Sequence, residues 1–114
     1  MKAKANIDAG VCGFHTKVDA VSNDGQSVEF SISSGCEKIR TFADNLKSAG
    51  AIDAYQEISS LSESQVLLIA RGTLKGCCAG CAVPVGVFKA MQVACGLALP
   101  KDIEIKIAKS DLGE

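Results

Sequence analysis

The chain has no tryptophan, one tyrosine, two prolines and one histidine among its 114 residues. So few large rings leave little to stack on bases or sugars, which argues against single-stranded nucleic-acid recognition. A single histidine with no nucleophile elbow leaves no Ser-His-Asp arrangement to argue for, and no phosphate-cradling P-loop is present. Neither sign of charge dominates. Twelve basic and thirteen acidic residues give a net charge of −1, too balanced for broad binding to nucleic acid or an anionic membrane. No apolar run approaches the length of a membrane-spanning helix, so none is expected. The opening Met-Lys-Ala-Lys-Ala-Asn lacks the apolar stretch of a secretion signal, so the expected location is cytoplasmic.

Cysteine, in contrast, is abundant, with six in the chain. Hydrophobic residues at 47% and charged residues at 22% predict one folded domain over residues 1–114 with a core of its own. In a small secreted domain six cysteines would suggest disulfides. In a reducing cytoplasm the same density points to metal, cluster or thiol chemistry.

Patterning predicts the elements. Ala3, Ala5 and Ile7 alternate with polar residues. So do Phe14, Thr16, Val18 and Ala20, and then Val28, Phe30 and Ile32, with a turn at Asn23-Asp24-Gly25. This period of two predicts strands with one buried face. The period changes after Ser33-Ser34-Gly35-Cys36, where Ile39, Phe42, Ala43 and Leu46 form a helical stripe. Ser33 or Ser34 is the expected cap and Gly50 the stop. Ile52, Tyr55 and Ile58 predict a short second helix. Ser62-Glu63-Ser64-Gln65 fits a capping box before a third helix that Gly72 would end. Pro84 suits the first turn of a fourth helix, closed by Pro100. Ile103, Ile105 and Ile107 alternate with charges and predict a last strand. The expected class is α+β, an antiparallel sheet with helices packed on one face.

Three cysteines share a context. Cys12 sits between Gly10 and Gly13, Cys36 follows Gly35 into a helix, and Cys81 follows Gly80 into another. Glycine allows close backbone approach to a ligand. A helix N-terminus favours thiolate, which is the form that binds soft metals. Cys78 and then Cys77 are candidates for a fourth ligand, and His15 for an additional one. Cys95 falls on an apolar helix face and reads as core. Asp44, Glu57 and Glu63 read as polar helix faces with no paired acid–base system.

Gly10-Val11-Cys12-Gly13, Ser34-Gly35-Cys36 and Gly80-Cys81 resemble, in order and context, the NifU/IscU-type iron–sulfur cluster scaffold family. The resemblance implies a compact α+β fold whose three cysteines assemble a 2Fe–2S cluster. It also implies a cysteine desulfurase as sulfur donor and apo-proteins as acceptors. The chain departs from that pattern in three places. Phe14 stands where the family has an acidic residue, Gly80 where it commonly has histidine, and the Leu-Pro-Val-Lys-rich chaperone segment is absent. The combination Cys12-Gly13-Phe14, Cys81-Ala82-Val83-Pro84 and Ala98-Leu99-Pro100-Lys101-Asp102 also resembles a little-characterised set of small proteins from archaea and anaerobic bacteria. Gly76-Cys77-Cys78-Ala79-Gly80-Cys81 is similar to the loop of Nfu-type carriers, which implies a homodimer sharing one cluster.

Two other readings use the same thiols. Cys78 and Cys81 have zinc-knuckle spacing, and Cys12 and Cys36 would complete a four-cysteine zinc module. Cys81 alone would serve a metal-free thiol or persulfide relay. A thioredoxin-like reading of Cys78-x-x-Cys81 lacks the necessary order of elements.

Overall fold

The alternation in the first third of the chain is realised as an antiparallel meander. The computed structural model describes residues 1–111. Strands β1 (Lys2–Asp8), β2 (His15–Val21) and β3 (Ser27–Ser34) pair in sequence order, and the two-residue β4 (Ile52–Asp53) adds to β3. Ala3, Thr16, Val18, Ala20 and Val28 are buried on one face. Their neighbours Lys2, Lys4, Lys17, Glu29 and Ser31 are exposed on the other. A one-residue slip would exchange these sets, so the pattern fixes the register.

Helices α1 (Glu37–Ser48), α2 (Ala54–Ile58), α3 (Gln65–Thr73) and α4 (Val83–Ala94) complete the fold, with a 3₁₀ turn at Gly76–Cys78. The α4 helix lies on β1 and β2, α1 lies on β3, and α3 packs against both helices. Ile39, Phe42, Leu46, Val66, Val83, Val87 and Met91 fill the space between helices and sheet. The architecture is α+β, a four-stranded antiparallel sheet with helices on one face.

One contact aligns α4 with the sheet. A Cβ on Gly86 would run into Ile7 Cδ1 and stand 2.8 Å from Ile7 Cγ1. Glycine at this position leaves room for the Ile7 side chain, and a larger residue would force that side chain to shift. At the other end a Cβ on Gly96 would meet Met1 Cε at 3.9 Å, so α4 runs antiparallel to β1.

Several expectations are corrected. Neither Ser33 nor Ser34 caps α1, whose N-cap is Cys36 with no side-chain cap bond. Ser34 lies too far upstream to reach the first-turn amides. Its Oγ instead accepts from the Cys36 N–H at 3.1 Å and from Thr16 Oγ1 at 2.9 Å. Ile52, Tyr55 and Ile58 do not share a helix. Ile52 pairs with Val28 in β4, and Asp53 then starts α2 by accepting from the Tyr55 N–H at 2.9 Å. Gly72 lies inside α3, which ends at Thr73. The α4 helix ends well before Pro100, because Gly96, at φ 71°, adopts the left-handed turn of a Schellman cap. The Gly96 N–H donates to Val93 O at 3.0 Å and the Leu97 N–H to Gln92 O at 2.8 Å. The predicted last strand is not formed. Residues 101–111 pair with no strand, and Ile103, Ile105 and Ile107 are exposed.

Gly76–Ala94 has a mean hydropathy of 1.5, long and apolar enough by composition for a membrane span. Structurally it is two pieces, because Ala79–Ala82 separate the 3₁₀ turn from α4. The 12 residues of α4 reach only about 18 Å, short of the ~30 Å hydrocarbon layer. The apolarity of α4 is explained by the face it buries on the sheet.

Glu57 is buried, and its place was not visible as a polar helix face. Its Oε1 accepts from Ser64 Oγ at 2.6 Å and the Val66 N–H at 2.9 Å, and its Oε2 accepts from the Gln65 N–H at 2.7 Å. The carboxylate therefore satisfies amides at the start of α3 that the helix itself cannot. The Ser64 hydroxyl accepts from the Leu67 N–H at 3.0 Å, so Ser64 rather than Ser62 is the cap. Glu57→Gln turns a donor toward donors. It is expected to cost about 2–3 kcal/mol, read as a lower urea midpoint at unchanged slope. The Ile7–Gly86 contact predicts a coupled pair. Gly86→Ala gains about 1 kcal/mol of helix propensity but overpacks against Ile7. It should therefore be more favourable in an Ile7→Ala background, by about 1–2 kcal/mol in a double-mutant cycle.

Candidate functional site

The register places three loops at one end of the sheet. Asp8 faces His15 across β1 and β2, and Thr16 faces Ser34 across β2 and β3. The β1–β2 turn, carrying Cys12, therefore lies at the same end as the β3–α1 junction, carrying Cys36. The Ile7–Gly86 contact brings the start of α4 there too, with Cys78 and Cys81 just ahead of it.

Local chemistry holds each segment. The β1–β2 turn closes with the Gly13 N–H donating to Gly10 O at 2.9 Å and the Ala9 N–H to Phe14 O at 3.2 Å. Gly10 and Gly13 both have positive φ, at 88° and 73°, a conformation that side-chain-bearing residues rarely adopt. Cys36 enters α1 after Gly35, where a Cβ would meet Phe14 Cδ1 at 3.2 Å. Phe14 thus lies over Gly35 and ties the Cys12 turn to the Cys36 junction. The sequence shows Gly35 but not the ring that requires it. Cys81 is held in a tight turn, its N–H donating to Cys78 O at 3.1 Å.

All six cysteines are free thiols. Cys36, Cys78 and Cys81 are half-buried against the core, whereas Cys12 and Cys77 are exposed. Cys95 is buried, as its apolar face predicts. His15 is exposed at the start of β2, on the strand face opposite Thr16, Val18 and Ala20. The helices cover that other face, so His15 points away from the half-buried thiols.

The thiols influence one another. Burial pushes the Cys81 thiol up from its ordinary value of 9.0, and the nearness of Cys12, Cys36 and Cys78 raises it further. The Val83 backbone N–H pulls the other way by favouring the thiolate, but does not prevail. This corrects the expectation of a thiolate stabilised by the helix end. The N-cap is Ala82, so Cys81 precedes the helix, and desolvation plus like charge outweigh one amide. Among the described residues, no group of three or more His, Cys, Asp or Glu side chains stands ready to hold a metal ion. Cys12, Cys36 and Cys78 act on Cys81, but the four do not form a coordination shell.

A family model matches residues 3–107, nearly the whole chain. The chain belongs to a family of unknown function, DUF6951. The match takes in all six cysteines and continues past α4 to Ile107. No curated protein and no solved structure matches the chain significantly.

The raised Cys81 pKa predicts slow alkylation at neutral pH. Residue-resolved iodoacetamide labelling should give Cys81 a titration midpoint above 9.0. The Cys12→Ser/Cys36→Ser variant should lower that midpoint by removing two of the repelling neighbours, while burial keeps it elevated.

Proposed function

We propose that this protein binds and carries an iron–sulfur cluster, or a single thiophilic metal ion in its place. Cys12, Cys36 and Cys81 are the core donors, Cys78 is the fourth, and Cys77 is the next candidate. What supports this reading is that Cys12, Cys36 and Cys78, from three separate segments at one end of the sheet, lie near enough to Cys81 to raise its pKa. Soft sulfur donors suit iron–sulfur clusters, zinc and copper(I), and disfavour hard cations. The mutual repulsion of these thiols also gives a reason for a cation. A bound metal turns the like charges around Cys81 from a cost into an attraction. The resemblance to NifU/IscU-type scaffolds points the same way, with 2Fe–2S as the cargo, a cysteine desulfurase as donor and apo-proteins as acceptors.

The chain's own residues divide the work. Cys36, Cys78 and Cys81, set against the core, form the fixed side of the site. Cys12, on an exposed turn, is the donor that faces solvent and through which cargo would exchange. Cytoplasmic location fits this reading, because free thiols at this density persist in a reducing compartment.

The test is iron, zinc and acid-labile sulfide per chain, measured on protein purified without oxygen. Iron with sulfide is the expected result. Cys12→Ser, Cys36→Ser and Cys81→Ser should each lower loading by more than half, and Cys95→Ala should leave it unchanged. Zinc without sulfide would make the site a structural zinc module. Normal loading in all three serine variants would remove the site. Metal-free protein in every preparation would overturn the metal reading and leave thiol chemistry.

A further inference from the structure

The segment after α4 keeps a strand pattern without a strand partner. Every residue from Leu99 to Asp111 is exposed. Ile103, Ile105 and Ile107 are 52%, 68% and 91% exposed. Glu104 and Lys106 form an ion pair of 3.2 Å, so the charged side chains lie together, as alternation in an extended chain requires. Pro100 disfavours a helical Leu99, so the chain does not continue α4. The molecule is 50 Å long but only 28 and 27 Å across. The family match reaches Ile107, so this segment belongs to the domain that the family defines.

The sheet offers a matching vacancy. Among the described residues β1 pairs only with β2, which leaves its other edge free along seven residues. That edge carries Lys2 and Lys4 on the solvent face and Ala3, Ala5 and Ile7 on the helix-covered face. Laid parallel to β1, the tail sets Asp102 beside Lys2 and Glu104 beside Lys4. It also sets Ile103, Ile105 and Ile107 beside Ala3, Ala5 and Ile7. The antiparallel alternative centred on Ala5 and Ile105 sets Lys106 against Lys4 and Asp102 against Asp8, two like-charge pairs, and the antiparallel register that pairs Asp102 with Lys4 and Glu104 with Lys2 leaves Ile107 with no partner on β1.

We infer that the segment Asp102–Ala108 of one copy adds as a parallel fifth strand to the free β1 edge of a second copy, in a reciprocal exchange. Although the Gly96 turn leaves the tail close to the Met1 end of its own β1, the tail stays exposed and leaves that edge unpaired, which favours a second copy as its partner. Exchange of an identical element is a low-cost route to a two-fold dimer. It also covers an edge that would otherwise invite unspecific pairing. The lysines on that edge admit an acidic strand and repel a basic one.

The experiment is light scattering coupled to size exclusion on the full chain, in reductant so that no disulfide contributes. A mass of twice 11.8 kDa is expected, with dissociation on dilution. Ile103→Asp/Ile105→Asp should give a monomer with an unchanged circular dichroism spectrum. Lys2→Glu/Lys4→Glu should weaken the dimer at least tenfold, and adding Asp102→Lys/Glu104→Lys should restore it. That rescue reads the charge pairing between tail and edge and does not depend on how the parent variant folds. A monomer at all concentrations, with or without a tail protected from hydrogen exchange, would overturn the exchange. So would a dimer that survives the isoleucine substitutions.

Discussion

The absence of a side chain at Gly86 is the constraint on which the arrangement depends. Ile7 occupies the space that a Cβ there would need, so α4 settles onto the far end of β1. That approach also determines where the residues before α4 go. Cys78 and Cys81 arrive beside the β1–β2 turn because the helix behind them cannot sit elsewhere without losing its contact with β1 and β2. Core packing and the assembly of the thiols are therefore one event. A substitution that lifts α4 from β1 would loosen both.

Backbone polar groups impose the second requirement. The α3 helix begins in a part of the molecule where Val66 is wholly buried, and its first amides find no partner within the helix. A buried carboxylate on Glu57 and the hydroxyl of Ser64 supply what is missing. Ser34 does related work at the other end of the chain, joining the amide of Cys36 to the hydroxyl of buried Thr16. No buried side-chain nitrogen or oxygen is left without a partner among the described residues. The small core is thus accompanied by complete polar satisfaction, which penalises alternative packings.

The sheet and the main helical faces were legible in sequence because alternation and helical stripes report burial directly. Thr16, Val18, Ala20 and Val28 turned inward as the period of two requires, as did Ile39, Phe42 and Leu46 at helical spacing. What failed had local signals that tertiary structure redirected. Ile52 joined a strand because Val28 offered an edge. Gly96 ended α4 before Pro100 because a left-handed cap acts at once, whereas proline acts only on the residues beside it. The C-terminal isoleucines carry a strand pattern that no strand realises, because alternation alone does not supply a partner edge. For the proposed site, glycine context singled out Cys12, Cys36 and Cys81 as candidates, and spacing added Cys78. Phe14 over Gly35, and the burial that raises Cys81, depend on contacts between distant segments and leave no mark in the local sequence.

Those distant segments also set when the thiols can meet. Cys12 and Cys81 are 69 positions apart (81 − 12), and the turn that carries the first is made long before the helix that positions the second. Closing so long a loop is entropically costly until native contacts reward it. The nearness of Cys12 to Cys81 is therefore a product of tertiary folding, since the segments that carry them come together only where α4 lies on β1 and β2.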